Sequence, residues 1–299
     1  MMQIITETHA LTTQIQNWQG EQQKIAFVPT MGNLHTGHLA LVKQAQQVAD
    51  KVVVSIFVNP TQFDRTEDLR AYPRTEQADQ DKLSAAGVDV LFLPSVKVMY
   101  PNLDNKQQNM CTVHVPEIAN ILEGASRQGH FSGVATVVAK LFNLVQPHYA
   151  VFGAKDFQQL MVIRQMVRDL NFAIEIIAAP TVRESDGLAM SSRNGYLTPP
   201  QRESASILYQ TLQSVQQHII AAHQQGKVNY QAIQNQAMQS LSTQGFKPDY
   251  IEIRQQSDLQ PPEQGQTQLV ILAAAWLGKA RLIDNLSFVL SLHDRNHPT

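Results

Sequence analysis

"FVPTMGNLHTGHLALVKQA", residues 27–45, is the stretch on which the fold reading turns. An apolar run ends at Pro29 and an amphipathic run begins near Leu39, with two glycines and two histidines between them. A strand that hands over to a helix across so short a gap is the β–α step of a parallel sheet. If the helix starts near Gly37, its first turn exposes unpaired N–H groups and the positive end of its dipole. Such an end attracts a phosphate, and Gly32 and Gly37 let a ligand come close to the backbone. His35 and His38 would then flank that phosphate and donate hydrogen bonds to charge developing on it. Taken singly, these residues suit an ordinary polar turn better than a site. Seated together between strand and helix, the string "PTMGNLHTGH" favours a site.

The same alternation runs outward through the first 180 or so residues. "KIAFVP" (24–29), "KVVVSIFV" (51–58), "VDVLFLP" (88–94), "YAVFG" (149–153) and "FAIEIIAAP" (172–180) are short and rich in Val, Ile and Phe. Helical spacing occupies 37–50, 75–86, 132–146 and 156–170. Strands separated by helix-length segments imply an α/β fold, a Rossmann-like parallel sheet with helices on both faces. Ligands bind such sheets beyond the carboxyl ends of the strands, and polar clusters follow Pro29, Val58 and Phe152 at just those ends. The pattern changes after about residue 182. Two glutamine-rich helices, near 200–225 and 229–243, precede strand-like runs at 248–255, 267–277 and 280–288. The expected division is therefore a first domain over 1–181 and a smaller α+β domain over 182–299, its tail "LHDRNHPT" frayed.

Composition narrows the function. A chain of 299 residues with formal net charge −2 offers no basic face for nucleic acid. One cysteine, Cys111, permits no internal disulfide and is read as structural. The opening "MMQIITETHALTT" lacks the features of a signal peptide. The longest uncharged apolar run, "LVILAAAWLG" (269–278), is about half the roughly 20 residues a membrane span needs. A cytoplasmic protein whose main task is not binding a nucleic-acid backbone is the expectation.

Further strings carry their own chemistry. In "FVNPTQF" Pro60 stops a strand and leaves Asn59 and Gln62 at the sheet edge, where amides can read the carboxylate and hydroxyls of a small acid, or simply open a turn. "FGAKDFQQL" repeats the strand-to-helix layout: Gly153 for the turn, Lys155 for phosphate charge, Asp156 at the N-cap, and Gln159 on nearly the same helix face. A capped helix with a solvated lysine is the plain alternative. "MSSRN" (190–194) offers two hydroxyls and a guanidinium in a pliable stretch. "RQGHF" (127–131) adds Arg127 and His130 at a helix entry.

The H-x-G-H string resembles the signature of the nucleotidylyltransferase superfamily. With "VNPTQF", "YPRT" (72–75), "LEGASRQGHFSGVATVVAKLFNLVQP" (122–147), "FGAKDFQQL" and "VRESDGLAMSSRNGYL" (182–197) in this order, the chain resembles the pantoate–β-alanine ligase family from about residue 4 to about 288. That resemblance implies ATP-dependent condensation of pantoate with β-alanine through a pantoyl adenylate, giving pantothenate, AMP and pyrophosphate. It implies ATP binding by Met31, Gly32, Asn33, Leu34, His35, Thr36, Gly37 and His38, with His38 in the proton-donor position. Gly153, Ala154, Lys155, Asp156, Val182, Met190, Ser191, Ser192 and Arg193 continue the nucleotide site. Gln62 and Gln159 match the pantoate-binding glutamines, and Gln62 also the β-alanine position. A homodimer is implied as well. Mg²⁺ is expected on the ATP phosphates, and direct ligation by the protein is doubtful because Ala78 precedes Asp79 where the family often has adjacent acids. The smaller domain is expected to close as a lid, with Gly187 and Gly195 as pliable points, because an acyl adenylate hydrolyses in open water. The rival is a nucleotidylyltransferase that adenylates a phosphorylated cofactor precursor, for which the amides of "VNPTQF" and "KDFQQ" would have no use.

Overall fold

The structure, a computed structural model, describes residues 1–64, 66–103, 110–226, 228–263 and 265–291. The expected frayed tail over 292–299 lies outside the described residues. The chain divides into two compact units, Met1–Thr181 and Val182–Thr299.

The first unit is a six-stranded sheet, β1 (Gln3–Ile5), β2 (Ile25–Thr30), β3 (Lys51–Ile56), β4 (Val90–Phe92), β5 (Tyr149–Gly153) and β6 (Glu175–Ala179), in the order β1-β4-β3-β2-β5-β6. Every pairing is parallel. β2 sits at the point where the strand order reverses, with β3 on one side and β5 on the other. The crevice at the carboxyl ends of β2 and β5 is where such sheets hold ligands. Alternate residues of β2 face opposite layers, as the two-residue strand period requires. Ala26 and Val28 pack with Val42 and Ala45 of helix Thr36–Val48, while Phe27 meets the Phe142 ring of helix His130–Val145 edge-on. All four strand residues from Ile25 to Val28 are fully buried, and each large one contributes about 1.5–3 kcal/mol by leaving water. That is why the central strands read as unbroken apolar runs.

Among the elements that escape the sequence reading are the first two of the chain. β1 is only three residues long, too short to show a period, and helix Thr8–Gly20 is rich in Thr and Gln. Its one signal is Leu11, Ile15 and Trp18 at helical spacing, the three residues it buries. Cys111, read as structural, is exposed.

The second unit is an antiparallel meander of β7 (Lys247–Gln255), β8 (Gln268–Leu277) and β9 (Ala280–Val289). Leu269, Ile271, Ala273, Ala275 and Leu277 of β8 share one apolar cluster with Leu208, Leu212 and Val215 of helix Ile207–Gln224 and Leu241 of helix Tyr230–Thr243. The helix expected over 200–225 is two helices, Pro199–Ser204 and Ile207–Gln224. Pro at the first turn and the box formed by Thr198 and Gln201 start the former.

Candidate active site

β2 ends at Thr30, and the chain turns back on itself to start helix Thr36–Val48. The turn needs Gly32 at φ 82° followed by Asn33 at φ 50°. A Cβ on Gly32 would lie 3.0 Å from Ile56 and 3.2 Å from the Asp79 carboxylate, so the loop is also tight against its neighbours. His35 is the N-cap. Its Nδ1 accepts the Gly37 N–H at 3.1 Å, and His38 Nδ1 accepts the His35 N–H at 3.3 Å, a reciprocal capping box made of two imidazoles.

This box decides the protonation of both rings. A nitrogen that accepts a backbone N–H carries no proton, so each neutral imidazole bears its hydrogen on Nε2. Burial pushes the His38 pKa down to about 3, helped by the charge of the adjacent His35. Burial also lowers His35, with Lys155 and Lys82 adding repulsion. The ring centroids stand 4.1 Å apart. Two neutral Nε2–H donors thus sit together at a helix N-terminus, ready for an anion that forms there.

A second wall follows β3. Asn59 caps the short turn Pro60–Gln62 and is 1 % exposed. Its amide is engaged internally: Nδ2 donates to Gln62 Oε1 at 3.0 Å and Gly133 O at 3.1 Å, and Oδ1 accepts from the hydroxyls of Thr61 at 2.9 Å and Tyr100 at 3.0 Å. Asn59, expected beside Gln62 as a substrate amide, thus holds the turn. Gln62 Nε2 reaches Met31 Sδ at 3.1 Å, which joins this wall to the histidine loop. Behind it, His130 Nδ1 pairs with Gln62 O at 2.8 Å, and burial lowers that imidazole to about 4. A neutral His130 donates there from Nδ1, because a carbonyl can only accept. Gly133 lets the backbone approach: a Cβ there would lie 2.3 Å from Thr61 O.

β5 supplies the third wall. Gly153 ends it, Ala154, Lys155 and Asp156 follow as a short 3₁₀ turn, and Asp156 is the N-cap of helix Phe157–Asp169, though its side chain caps no N–H. Gly153 has an ordinary φ of −74°, so the turn does not require glycine; a Cβ there would meet only Leu41, at 3.9 Å. Lys155 and Asp156 lie near enough to His35 and His38 to shift both, with opposite signs. Of the two glutamines, Gln158 is a buried clamp that donates to Ile118 O and Ile121 O, both at 2.7 Å. Gln159 is half-buried on the next position.

The remaining candidates, Val182, Met190, Ser191, Ser192 and Arg193, belong to the second unit. Met190 N donates to Val182 O and Glu184 N to Leu188 O, closing a hairpin over 182–190. Arg183 clamps it, donating to Gly187 O at 3.0 Å and to both Asp284 oxygens at 2.7 and 2.9 Å, its guanidinium 3.5 Å from the Tyr209 ring centroid. Gly187, expected as a pliable point, is therefore held. Beyond the hairpin, Ser191 Oγ accepts the Arg193 N–H at 3.2 Å and starts the 3₁₀ turn Ser192–Tyr196.

The sequence reading missed Tyr100 and Gly133, which act only through contacts with distant segments. Among the described residues no group of three or more His, Cys, Asp or Glu could hold a metal ion, and no helix is long and apolar enough to cross a membrane.

A family model described as pantoate-beta-alanine ligase matches residues 3–287. A pantothenate synthetase of Pseudomonas putida (strain GB-1) is 54 % identical over 285 residues, 95 % of this chain and 97 % of that protein. One from Pseudomonas aeruginosa (strain UCBPP-PA14) is 52 % identical over 286 residues, 96 % and 99 % of the two chains. The crystal structure of a pantothenate synthetase from Thermus thermophilus superposes with a TM-score of 0.84 at 42 % identity, covering 95 % of this chain and 99 % of that one. A Francisella tularensis pantoate-beta-alanine ligase, solved in complex with beta-gamma ATP and beta-alanine, gives a TM-score of 0.78 at 39 % identity, covering 96 % and 97 %. With a capped H-x-G-H loop at the switch point of a parallel sheet and a match over nearly its whole length, this chain belongs to the pantoate–β-alanine ligase family.

Proposed function

We infer that the chain is an ATP-dependent ligase that joins pantoate to β-alanine, with AMP and pyrophosphate as the other products. The observation that carries this reading is the pair of neutral imidazoles at the helix N-terminus, each with its Nδ1 engaged by a backbone N–H, linked through Met31 to the Gln62 amide. In the first step a pantoate carboxylate oxygen bonds to the α-phosphorus of ATP and pyrophosphate leaves. His38 and His35 donate from Nε2 to the charge that gathers on the phosphate oxygens. In the second step the β-alanine amine bonds to the acyl carbon, the acyl–phosphate bond breaks with AMP as leaving group, and the amine gives up a proton. Met31 to His38 and Gly153 to Asp156 are proposed to bind the nucleotide, and Val182 and Met190 to Arg193 are proposed as further nucleotide-binding residues. Gln62 and Gln159 are proposed to hold pantoate, and Gln62 also β-alanine.

Mg²⁺ is proposed to enter as the ATP complex, held by the phosphates. Cytoplasmic location and a homodimer are proposed from the family alone. The rival, adenylation of a phosphorylated acceptor, is not favoured: it would leave the Gln62 and Gln159 amides without a role.

Incubation with ATP, Mg²⁺, pantoate and β-alanine tests the reading. AMP and pantothenate should form together, and only when both acids are present. ADP, or transfer of AMP to a phosphorylated acceptor, would overturn it.

A further inference from the structure

Asp79 is 1 % exposed, and its carboxylate faces the histidine loop. Oδ2 accepts the Asn33 N–H at 2.7 Å and the Thr75 hydroxyl at 3.0 Å, and Oδ1 accepts the Leu34 N–H at 2.8 Å. The positive φ angles of Gly32 and Asn33 occur just where these two successive N–H groups converge on one anion. Lys82, one turn along helix Glu76–Ala85, donates from Nζ to Leu34 O at 2.7 Å and lies 3.9 Å from Asp79 Oδ1. Both polar groups of the Leu34 peptide are thus tied to that helix, and the next residue is the N-cap His35.

A carboxylate has about four acceptor positions. Here three take donors and the ammonium approaches the fourth, so a divalent cation at Asp79 would meet the positive ends of two N–H dipoles and a lysine. The donor set does not fit a metal. We propose that Asp79 and Lys82 are positioning residues that fix the loop presenting His35 and His38, and that Asp79 is not a metal ligand. A carboxylate suits this task because it only accepts. An asparagine in its place would turn an NH₂ group toward at least one of the three donors.

The proposal rests on reading this loop as the nucleotide site, so its test includes a readout independent of turnover. In Asp79→Asn, hydrogen exchange in peptides spanning 31–37 should quicken by roughly 10–100-fold, the scale of one lost charged hydrogen bond. The rate of pantoate-dependent adenylation should fall by about 10-fold or more, because small displacements of catalytic groups are costly. The dependence on free Mg²⁺ at fixed ATP should stay as in the parent chain. Recovery of the parent rate at high free Mg²⁺, or unchanged exchange in a folded Asp79→Asn chain, would overturn the proposal. Should Asp79→Asn not fold, Lys82→Met decides, since the lysine side chain is 42 % exposed. It should lower adenylation several-fold with the Mg²⁺ dependence unchanged, and a parent-like rate or a raised Mg²⁺ requirement would overturn the brace. If the parent chain makes other products, the functional reading fails while the exchange result still judges the brace.

Discussion

His38 holds two jobs on two nitrogens, and substitution can separate them. Nδ1 accepts the His35 N–H at 3.3 Å as half of the capping box, while Nε2 carries the proton that the proposed function would offer to the phosphate. An asparagine amide oxygen reaches about the position of Nδ1, and a glutamine amide nitrogen reaches about that of Nε2. His38→Asn should therefore keep the cap and lose the donor. Loss of one such donor costs about 10²–10³ in rate, or roughly 2.7–4 kcal/mol of transition-state stabilisation. Its stability should stay within about 0.5 kcal/mol of the parent chain. His38→Gln should do the reverse. At 3.3 Å the cap contact is long, so its loss belongs at the low end of capping energies, about 0.5–1 kcal/mol. For a unit of this size that lowers the melting temperature by about 1–4 °C. The assay for the first half-reaction is pantoate-dependent exchange of labelled pyrophosphate into ATP. Thermal unfolding at pH 7 reads the cap, and release of AMP from supplied pantoyl adenylate and β-alanine reads the second half-reaction. His38→Asn should be slow in exchange and much less impaired with the supplied adenylate. Equal losses of exchange in both variants, or parent-like exchange in His38→Asn, would refute the assignment of the two nitrogens.

Two other outcomes follow from the packing and the buried imidazoles. Gly133→Ala would place a methyl 2.3 Å from Thr61 O and 2.8 Å from Gln62 Cα, both backbone atoms that cannot swing away. It should cost about 1–3 kcal/mol in denaturant unfolding and raise KM for pantoate more than for ATP; an unchanged midpoint and KM would contradict the clamp. Burial holds His38 near 3 and His130 near 4, whereas both titrate near 6.5 in the unfolded chain. Below about pH 6.5 the unfolded state binds protons that the folded state does not, so stability falls as pH drops toward those lower values. Each imidazole contributes at most about 1.4 kcal/mol per pH unit. Urea midpoints between pH 6.5 and 5, above the carboxylate range, should decline, and a flat profile would show that these rings are not buried neutral.

Much of the first unit was legible because its information is local. A strand period of two giving way to a helical period, punctuated by Pro29, Gly32 and Gly37, can be read within about twenty residues, and it places His35 and His38 at a helix start without any tertiary knowledge. The identity of the reaction was likewise written in short strings whose order matched one family. What the sequence could not show is which atoms those strings spend on one another. The Asn59 amide looks free for a substrate until Gly133, 74 residues away, takes its N–H. Asp79, which follows Ala78 where the family often has a second acid, has no task legible in the sequence until Asn33 and Leu34, 46 and 45 residues back, donate to its oxygens. Gly187 looks pliable until Arg183 and Asp284, 101 residues apart, lock its hairpin. Each is a directional bond between groups brought together only when the chain packs, so no period or spacing encodes it. The types and order of the residues determined the fold and the chemistry; tertiary structure decided which polar groups remain available to perform it, because the Asn59 amide has both its hydrogens and both its lone pairs engaged inside the folded chain, whereas Gln62 commits one N–H to Met31 and accepts one from Asn59.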